Sequence, residues 1–465
     1  MYENIFREYD IRGIFGEELN EASVKAIGLS LGREMARRGV KSVSVGYDAR
    51  LSANEVKSWL VSGLNAANLS VFDISMLPTP VGYFSVFTGK FDANVMITGS
   101  HNPKNYNGFK ITIGKESFFG EEITKLGKAV NEILQSGEVV KDDFRAQKVD
   151  VLSEYVEFYR QNFSHLKGLK TRLVFDCGNG VAGISLVPIL KAIGVAAEVI
   201  FAEPDGNFPN HHPDPSEEKN LTDLKAALKG EFEVGIGFDG DADRVAVLTK
   251  KRVIKGDELA YLYALKMKNP RVLGEVKCSQ NMYDEINKIG EAFMGKTGHS
   301  NIKKAMSELN IDMAAEVSGH IFFKERFFGF DDGVYAAIRV LELLQSGIDL
   351  DAELDKLPPL VSTDELKIAT TDEKKFEIIA EFKRQILQNR AIFAQASEGG
   401  LVGEILEVID IDGVRLRFKE GWALLRASNT SPVLVTRFEG KRAEFVAALQ
   451  ERVTSLVKQI QAQLG

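Results

Sequence analysis

Short apolar runs alternate with amphipathic segments along most of this chain, and three of the runs end alike. Val43–Tyr47, Leu173–Phe175 and Val234–Phe238 are compact and rich in β-branched or aromatic residues, and each is followed by an aspartate: Asp48, Asp176 and Asp239. Runs of this kind predict buried strands. Between them, apolar residues fall at helical spacing in Ala22–Arg38, Asn54–Ala67, Ser185–Ile193 and Leu221–Leu228. Strand and helix in alternation predict related α/β units in series. The last hundred residues differ. There Leu366–Ala369, Ile405–Val408, Val414–Phe418, Trp422–Leu425 and Val433–Phe438 read as strands, flanked by helices at Glu373–Gln388 and Lys441–Ile460. That pattern predicts an α+β lobe.

Breaks near Arg145–Val149, Lys250–Arg252 and Pro358-Pro359 divide the chain into four expected domains, 1–147, 148–250, 251–361 and 362–465. The fold class expected is three mixed α/β domains and a C-terminal α+β domain. A length of 465 residues gives ample material for several cores. The irregular loop Glu203–Lys219, with four prolines and the pair His211-His212, is too irregular for an element. Adjacent histidines without a third ligand favour a plain loop over a metal site.

Composition narrows the class. Hydrophobic residues make up 44% and charged residues 27%, as in soluble globular proteins, and no apolar run approaches a membrane span. The segment MYENIFREYD interleaves charges where a signal peptide needs an apolar stretch, so a cytoplasmic protein is expected. Cys177 and Cys278 lack metal-binding or disulfide spacing. A net charge of -8 argues against nucleic acid as the main partner, so phosphate binding would rest on local basic groups.

Chemistry concentrates in a few segments. Thr98-Gly99-Ser100-His101-Asn102-Pro103 breaks the apolar run Ala93–Ile97 and exposes a serine at a strand end. Taken alone it is an ordinary turn. Asp239-Gly240-Asp241-Ala242-Asp243-Arg244 places three carboxylates in a tight turn between strands, an oxygen-ligand set suited to Mg²⁺ or Ca²⁺. An EF-hand is excluded by Arg244 at position six and Lys250 at position twelve. Arg426-Ala427-Ser428-Asn429-Thr430-Ser431-Pro432 offers a guanidinium, hydroxyls and an amide in a loop that can wrap a phosphate. In an extended Glu316–His320 segment, Glu316, Ser318 and His320 share a face and suit sugar hydroxyls. Lys104, Lys110, Lys277, Lys296, Arg244 and Arg326 are expected to offset an anionic substrate. Two nucleotide motifs are decoys. Gly235 and Gly237 of a GxGxxG match sit inside a strand, and Val245–Leu248 is a strand where a helix is required. The P-loop match at Gly290–Thr297 has the strand Ala292–Met294 where its loop should be.

Tyr9-Asp10-Ile11-Arg12-Gly13, TGSHNP, DGDADR, Lys296-Thr297-Gly298-His299-Ser300, AEVSGH (Ala315 to His320) and RASNTSP, in this order across nearly the whole chain, resemble the α-D-phosphohexomutase family. The resemblance implies four domains around a central active-site cleft, each lending one loop. It implies that Ser100 carries a phosphoryl group and, with Asp239, Asp241 and Asp243, holds one Mg²⁺. Lys110 and His320 are implied in acid/base work, with Arg12, His101 and Arg244 beside them. Glu316 and Ser318 would bind sugar hydroxyls, while Arg426, Ser428, Asn429 and Thr430, helped by Lys277, Tyr9, Thr297 and His299, would hold the non-reacting phosphate. The implied activity is conversion of hexose 1-phosphates to 6-phosphates through a hexose 1,6-bisphosphate, which also serves as activator, by a monomer whose partners are sugar phosphates. Ala315 stands where the family usually has glycine and Ala427 where it often has proline, and neither change removes a donor or acceptor. Val317 leans toward the mannose/glucose branch, since the phosphoglucosamine branch has glutamine there. A phosphoglucosamine mutase, a metal-dependent phosphatase with a phosphoserine intermediate, and a non-catalytic sugar-phosphate binder are the alternatives.

Overall fold

The computed structural model of the chain describes residues 3–394, 402–428 and 431–464. Four sheets follow one another along it, and the first three share one plan. In each, a central strand runs parallel to two neighbours, and one neighbour turns back into an antiparallel strand. The first sheet centres on Ser42–Tyr47 between Ser70–Met76 and Ala93–Ile97, with Tyr106–Ile113 as the return. The second centres on Leu173–Asp176 between Glu198–Ile200 and Val234–Phe238, returning as Val245–Thr249. The third centres on Arg271–Glu275 between Glu291–Gly295 and Met313–Ala315, returning as Ile321–Phe323. Ala93–Ile97 and Val234–Phe238 are buried at every position, which is why they read as continuous apolar runs rather than alternating ones.

The fourth sheet is an antiparallel meander of Glu407–Ile409, Val414–Arg417, Gly421–Ala427 and Val433–Gly440, extended by Leu366–Ala369. Helices Lys374–Gln388 and Ala443–Gln463 cover it through Ile378, Phe382, Phe445 and Leu449. The meander starts at Glu407, not at Ile405 as the apolar pattern suggested. Ile405 fills the core of this lobe, and its N–H bonds Arg390 O rather than a ladder partner.

One apolar cluster continues from the helix Thr79–Phe87 through the second and third sheets, while most of the first sheet and the fourth have cores of their own. The fourth unit docks on the third through Arg415, which lies 3.8 Å from the Trp422 ring centroid and donates to Val276 O (2.6 Å) and Cys278 O (2.9 Å). Cys177 and Cys278 are buried and unpaired. Among the described residues, no helix is long and apolar enough to cross a membrane.

Candidate active site

Three loops hold the same topological place, each joining a parallel strand to its antiparallel return: 98–105, 239–244 and 316–320. Backbone bonds tie the second and third loops to each other, and the second to the helices Thr79–Phe87 and Gly333–Gln345. Thr79 N–H donates to Asp241 O (3.0 Å), Gly333 N–H to Ala242 O (3.1 Å) and Val245 N–H to Gly319 O (3.0 Å), and Arg244 forms an antiparallel bridge with His320.

The serine loop is held in a strained form. Ser100 has φ 48°, a left-handed conformation that a non-glycine residue keeps only when its surroundings enforce it. Its N–H donates to Thr98 Oγ1 (2.7 Å), and the Thr98 hydroxyl donates to Asp48 Oδ2 (2.7 Å), which also accepts from Gly99 N–H (3.1 Å). The buried Arg50 guanidinium binds the remaining carbonyls. Nη1 donates to Pro103 O (2.6 Å) and Tyr106 O (2.9 Å), Nη2 to Ser100 O (3.0 Å) and Asn102 O (2.7 Å), and Nε to Asp48 (3.1 Å). Residue 99 must be glycine, since a Cβ there would lie 2.3 Å from Arg50 Cζ. Arg12 closes the other side, donating to Asp10 (2.8 Å), Gly99 O (3.2 Å) and the Asn102 amide oxygen.

Ser100 Oγ donates to Asp239 Oδ2 at 3.0 Å and lies 3.1 Å from His101 Nδ1. Asp239, Asp241 and Asp243 are all wholly buried, and ligand atoms from the three lie within 4.8 Å of one another. Thr79 Oγ1 donates to Asp241 Oδ2 (2.7 Å), and Lys110 pairs with Asp241 Oδ2 (2.7 Å) and with Asp243. Arg244 reaches Asp239 through its N–H (3.1 Å) and Nε (3.0 Å), and Asp214 through Nη1 (3.3 Å). Asp214 comes from the irregular loop Glu203–Lys219, where His211 bonds Asp176 (3.0 Å). Despite these cations, Asp241 Oδ1, Asp243 Oδ1 and Arg244 Nη2 are buried without a hydrogen-bond partner. Orphaned carboxylate oxygens fit a hard cation, and an orphaned guanidinium N–H fits an anion's oxygen.

Electrostatics sort these groups. Burial pushes Asp239 up to about 7, with Arg244 opposing. Burial disfavours the Lys110 charge, but Asp241 and Asp243 outweigh it and hold Lys110 as an ammonium. Burial, then Arg244 and Arg12, push His101 well down, to a neutral imidazole.

The segment Glu316–His320 is not extended. It is the tight turn of a hairpin, closed by Gly319 N–H to Glu316 O (3.0 Å) and Glu316 N–H to His320 O (2.9 Å), so two-residue alternation does not apply to it. Glu316 Oε1 accepts from Gly298 N–H (2.6 Å), and Ser318 is half-buried. His320 Nδ1 lies 3.0 Å from Asp331 Oδ2, without hydrogen-bond alignment, and 3.7 Å from Asp243 Oδ1. Burial lowers the affinity of His320 for a proton, but Asp243 and Asp331 reverse that and raise its pKa. His299 stacks on His320 with centroids 5.9 Å apart, and burial followed by Lys303 pushes its pKa down.

A second group of cations lies beside the third loop. Tyr9 OH donates to Thr297 O (2.9 Å). Lys277 pairs with Glu365 and lies 3.5 Å from Glu275. Arg426 donates to Asp412 (3.0 and 3.4 Å), and Asp412 also accepts from Thr297 N–H (3.0 Å). Ser428 O accepts from Lys375 (2.8 Å). Asn429 and Thr430 lie outside the described residues. Arg326, grouped with these cations by sequence, instead pairs with Glu342 and Glu325, and Lys104 is exposed. The sequence reading missed Asp48, Arg50, Thr79, Asp214, Asp331 and Asp412. Only Asp48-Ala49-Arg50 carried a local signal, a charged pair directly after a buried strand.

Four family models match the chain in order: Phosphoglucomutase/phosphomannomutase, alpha/beta/alpha domains I, II and III over residues 3–136, 153–253 and 255–360, and the C-terminal domain over 365–456. The chain is 39% identical over 469 residues to the phosphomannomutase/phosphoglucomutase of Pseudomonas aeruginosa, covering 99% of this chain and 97% of that one. It is 38% identical to the phosphoglucomutase of Neisseria gonorrhoeae over 98% of this chain and 97% of that one. A crystal structure of a phosphoglucomutase/phosphomannomutase family protein from Burkholderia thailandensis superposes with a TM-score of 0.86 at 36% identity, covering 99% and 98% of the two chains.

Proposed function

The chain belongs to the phosphoglucomutase/phosphomannomutase family and is an isomerase of that family; we propose that it interconverts the 1- and 6-phosphates of mannose and glucose through phospho-Ser100 and a hexose 1,6-bisphosphate. One observation carries the assignment of Ser100: its hydroxyl is fixed 3.0 Å from Asp239, inside a buried carboxylate triad that keeps two oxygens unpartnered. Segments 1–147, 148–250, 251–361 and 362–465 act as the four domains, each lending a loop. Asp239, Asp241 and Asp243, with the phosphoryl group on Ser100, would hold Mg²⁺, which offsets part of the roughly 1.5–2 negative charges of a phosphoserine.

In the first transfer the free hydroxyl of a hexose monophosphate bonds to phosphorus as the Ser100 Oγ–P bond breaks. His320 takes the hydroxyl proton on the ring nitrogen turned away from Asp331, and Asp331 stabilises the imidazolium that results. Lys110, held as an ammonium by Asp241 and Asp243, supplies the proton for the departing Ser100 Oγ. The orphaned Arg244 Nη2 meets the charge on the transferring group. After the bisphosphate reverses its orientation, the second transfer runs both proton movements backwards and returns the other phosphate to Ser100. Glu316 and Ser318 hold the sugar hydroxyls. Arg426, Ser428, Asn429, Thr430 and Lys277, beside Tyr9, Thr297 and His299, hold the phosphate that is not reacting. The free bisphosphate re-primes an enzyme that has lost its phosphoryl group. The working form is a cytoplasmic monomer, and sedimentation of a 51.4 kDa species checks its size.

Intact-mass measurement of wild type and Ser100→Ala, with a coupled assay on glucose 1-phosphate and mannose 1-phosphate, tests this reading. One phosphoryl group on the wild type, none on the variant, and 6-phosphate product only from the wild type are expected. Release of inorganic phosphate without 6-phosphate would make the protein a phosphatase instead.

A further inference from the structure

The shared plan of the first and third sheets extends to one side chain. In the first sheet Tyr47 pairs with Ile97, the last strand residue before the serine loop; in the third, Gly274 pairs with Ala315, the last before the turn Glu316–His320. The next residue along each central strand is a buried carboxylate, Asp48 and Glu275. Each accepts the N–H of the second residue of the loop opposite. Asp48 accepts from Gly99 at 3.1 Å, and Glu275 Oε1 from Val317 at 3.0 Å. Asp48 spends its other contacts within its own unit, on Thr98 and Arg50. Glu275 is one methylene longer. Its Oε2 accepts from the Thr297 hydroxyl at 2.6 Å, and Lys277 lies 3.5 Å from Oε1.

We propose that Glu275 is a positioning residue that fixes the Glu316–His320 turn, the Thr297–His299 loop and Lys277 relative to one another, doing for the sugar and phosphate contacts what Asp48 does for the serine loop. The proposal rests on the function above only for what those loops bind. Glu275 has no exposed surface, so it acts through its neighbours rather than on substrate. Burial pushes its carboxyl up to about 7, with Lys277 opposing and Glu316 adding. A carboxylate kept there against desolvation is explained by the three segments it joins, each carrying residues of the binding side.

Glu275→Gln keeps the shape and can still accept from Val317 while losing the charge that faces Lys277. Glu275→Ala removes every contact. Calorimetric affinity for glucose 1-phosphate and mannose 1-phosphate, KM and kcat, and phosphorylation of Ser100 by glucose 1,6-bisphosphate are measured on the full chain, with denaturant unfolding as a control. Affinity weaker by about tenfold in Glu275→Ala, KM raised in parallel and an intermediate loss in Glu275→Gln are expected, the size that a slight misplacement of binding groups produces. Ser100 remains phosphorylatable, because its loop belongs to another sheet. A purely structural role would instead lower unfolding stability and leave the affinity of the folded fraction unchanged. Affinity and KM within twofold of wild type in both variants would overturn the proposal, and if Glu275→Ala does not fold, Glu275→Gln decides alone. A wild type that binds either sugar phosphate without isomerising it defeats the mutase reading but leaves the Glu275 comparison intact. A wild type that binds neither defeats both.

Discussion

Arg50 offers the sharpest test of how the Ser100 loop is held. Arg50→Met keeps the length of the side chain but removes every donor that now binds the carbonyls of Ser100, Asn102, Pro103 and Tyr106. It also leaves Asp48, 1% exposed, without its cation. Breaking a buried ion pair by removing one partner destabilises by about 3–5 kcal/mol, a large part of a total that is typically about 5–15 kcal/mol. The loop should suffer first, because the left-handed Ser100 backbone itself carries about 1–3 kcal/mol of strain. If about 3 kcal/mol of restraint is lost, the competent loop falls roughly a hundredfold in population, at about 1.4 kcal/mol per tenfold. The expected result is a kcat about a hundredfold lower under conditions where circular dichroism reports folded protein, with faster hydrogen exchange at Gly99 and Ser100. Arg50→Lys should fall between, since an ammonium restores the charge but not the planar fork that spans several carbonyls. An Arg50→Met variant that unfolds within about 0.5 kcal/mol of wild type and leaves exchange at those two amides unchanged would refute this role of Arg50.

Three other variants probe separate parts. Lys110→Met should lower kcat by about 10²–10³, the usual loss when a preorganised charge is removed from a transferring group, and EDTA should lower the melting temperature of this variant more than that of wild type, since Asp241 and Asp243 then lose the ammonium that pairs with both. Arg415→Met removes the bonds to Val276 O and Cys278 O; limited proteolysis should cut faster between residues 355 and 365, and affinity for glucose 1-phosphate should fall as Arg426 and Lys277 lose their common frame. Glu258 is pushed up to about 7 by burial, with Asp257 adding. Its folded pKa lies above its unfolded one, so its contribution to stability is complete below about 4.5 and is lost as pH rises through about 7. Glu258→Gln should therefore gain stability over wild type between pH 5 and pH 8, read by urea unfolding, and an unchanged difference across that range would refute the assignment.

What the sequence made legible was local. The serine loop and the carboxylate triad each lie within six consecutive residues, so turn formers and ligand types announced them without knowledge of the fold. The groups that hold them come from far along the chain. Thr98 and Asp48 are 50 residues apart, Arg50 and Tyr106 are 56 apart, and Val317 and Glu275 are 42 apart. These pairs meet only because parallel pairing sets adjacent strand ends side by side, a relation that periodicity does not encode. The reading of Glu316–His320 failed for a related reason. Its alternation of polar and small residues resembles a strand, but Met313–Ala315 and Ile321–Phe323 pair with each other, and the residues between them have to turn. Ile405 misled in the opposite direction: it is apolar and buried, yet it packs on a sheet to which it does not belong.

Charge is placed unequally between the serine loop and the segments around Lys277 and Arg426. At the serine end, three buried carboxylates face Lys110 and Arg244 and still retain orphaned oxygens, a set that would accept a hard cation. At the other end Arg426 is held by Asp412 and Lys277 by Glu365, so those cations already face carboxylates of the protein. A phosphate bound there, as proposed, would have to displace or share them, which would temper its affinity. A substrate that leaves one phosphate at each end in turn needs this asymmetry. Were the far end an unopposed cationic pocket, the bisphosphate would be held too tightly to reverse its orientation. Were the serine end already neutral, there would be no reason for a cation to bind beside the phosphoserine. In the proposed cycle Asp412 and Glu365 would thus matter as much as the cations they face, because they would keep a bisphosphate bearing roughly 3–4 negative charges able to turn.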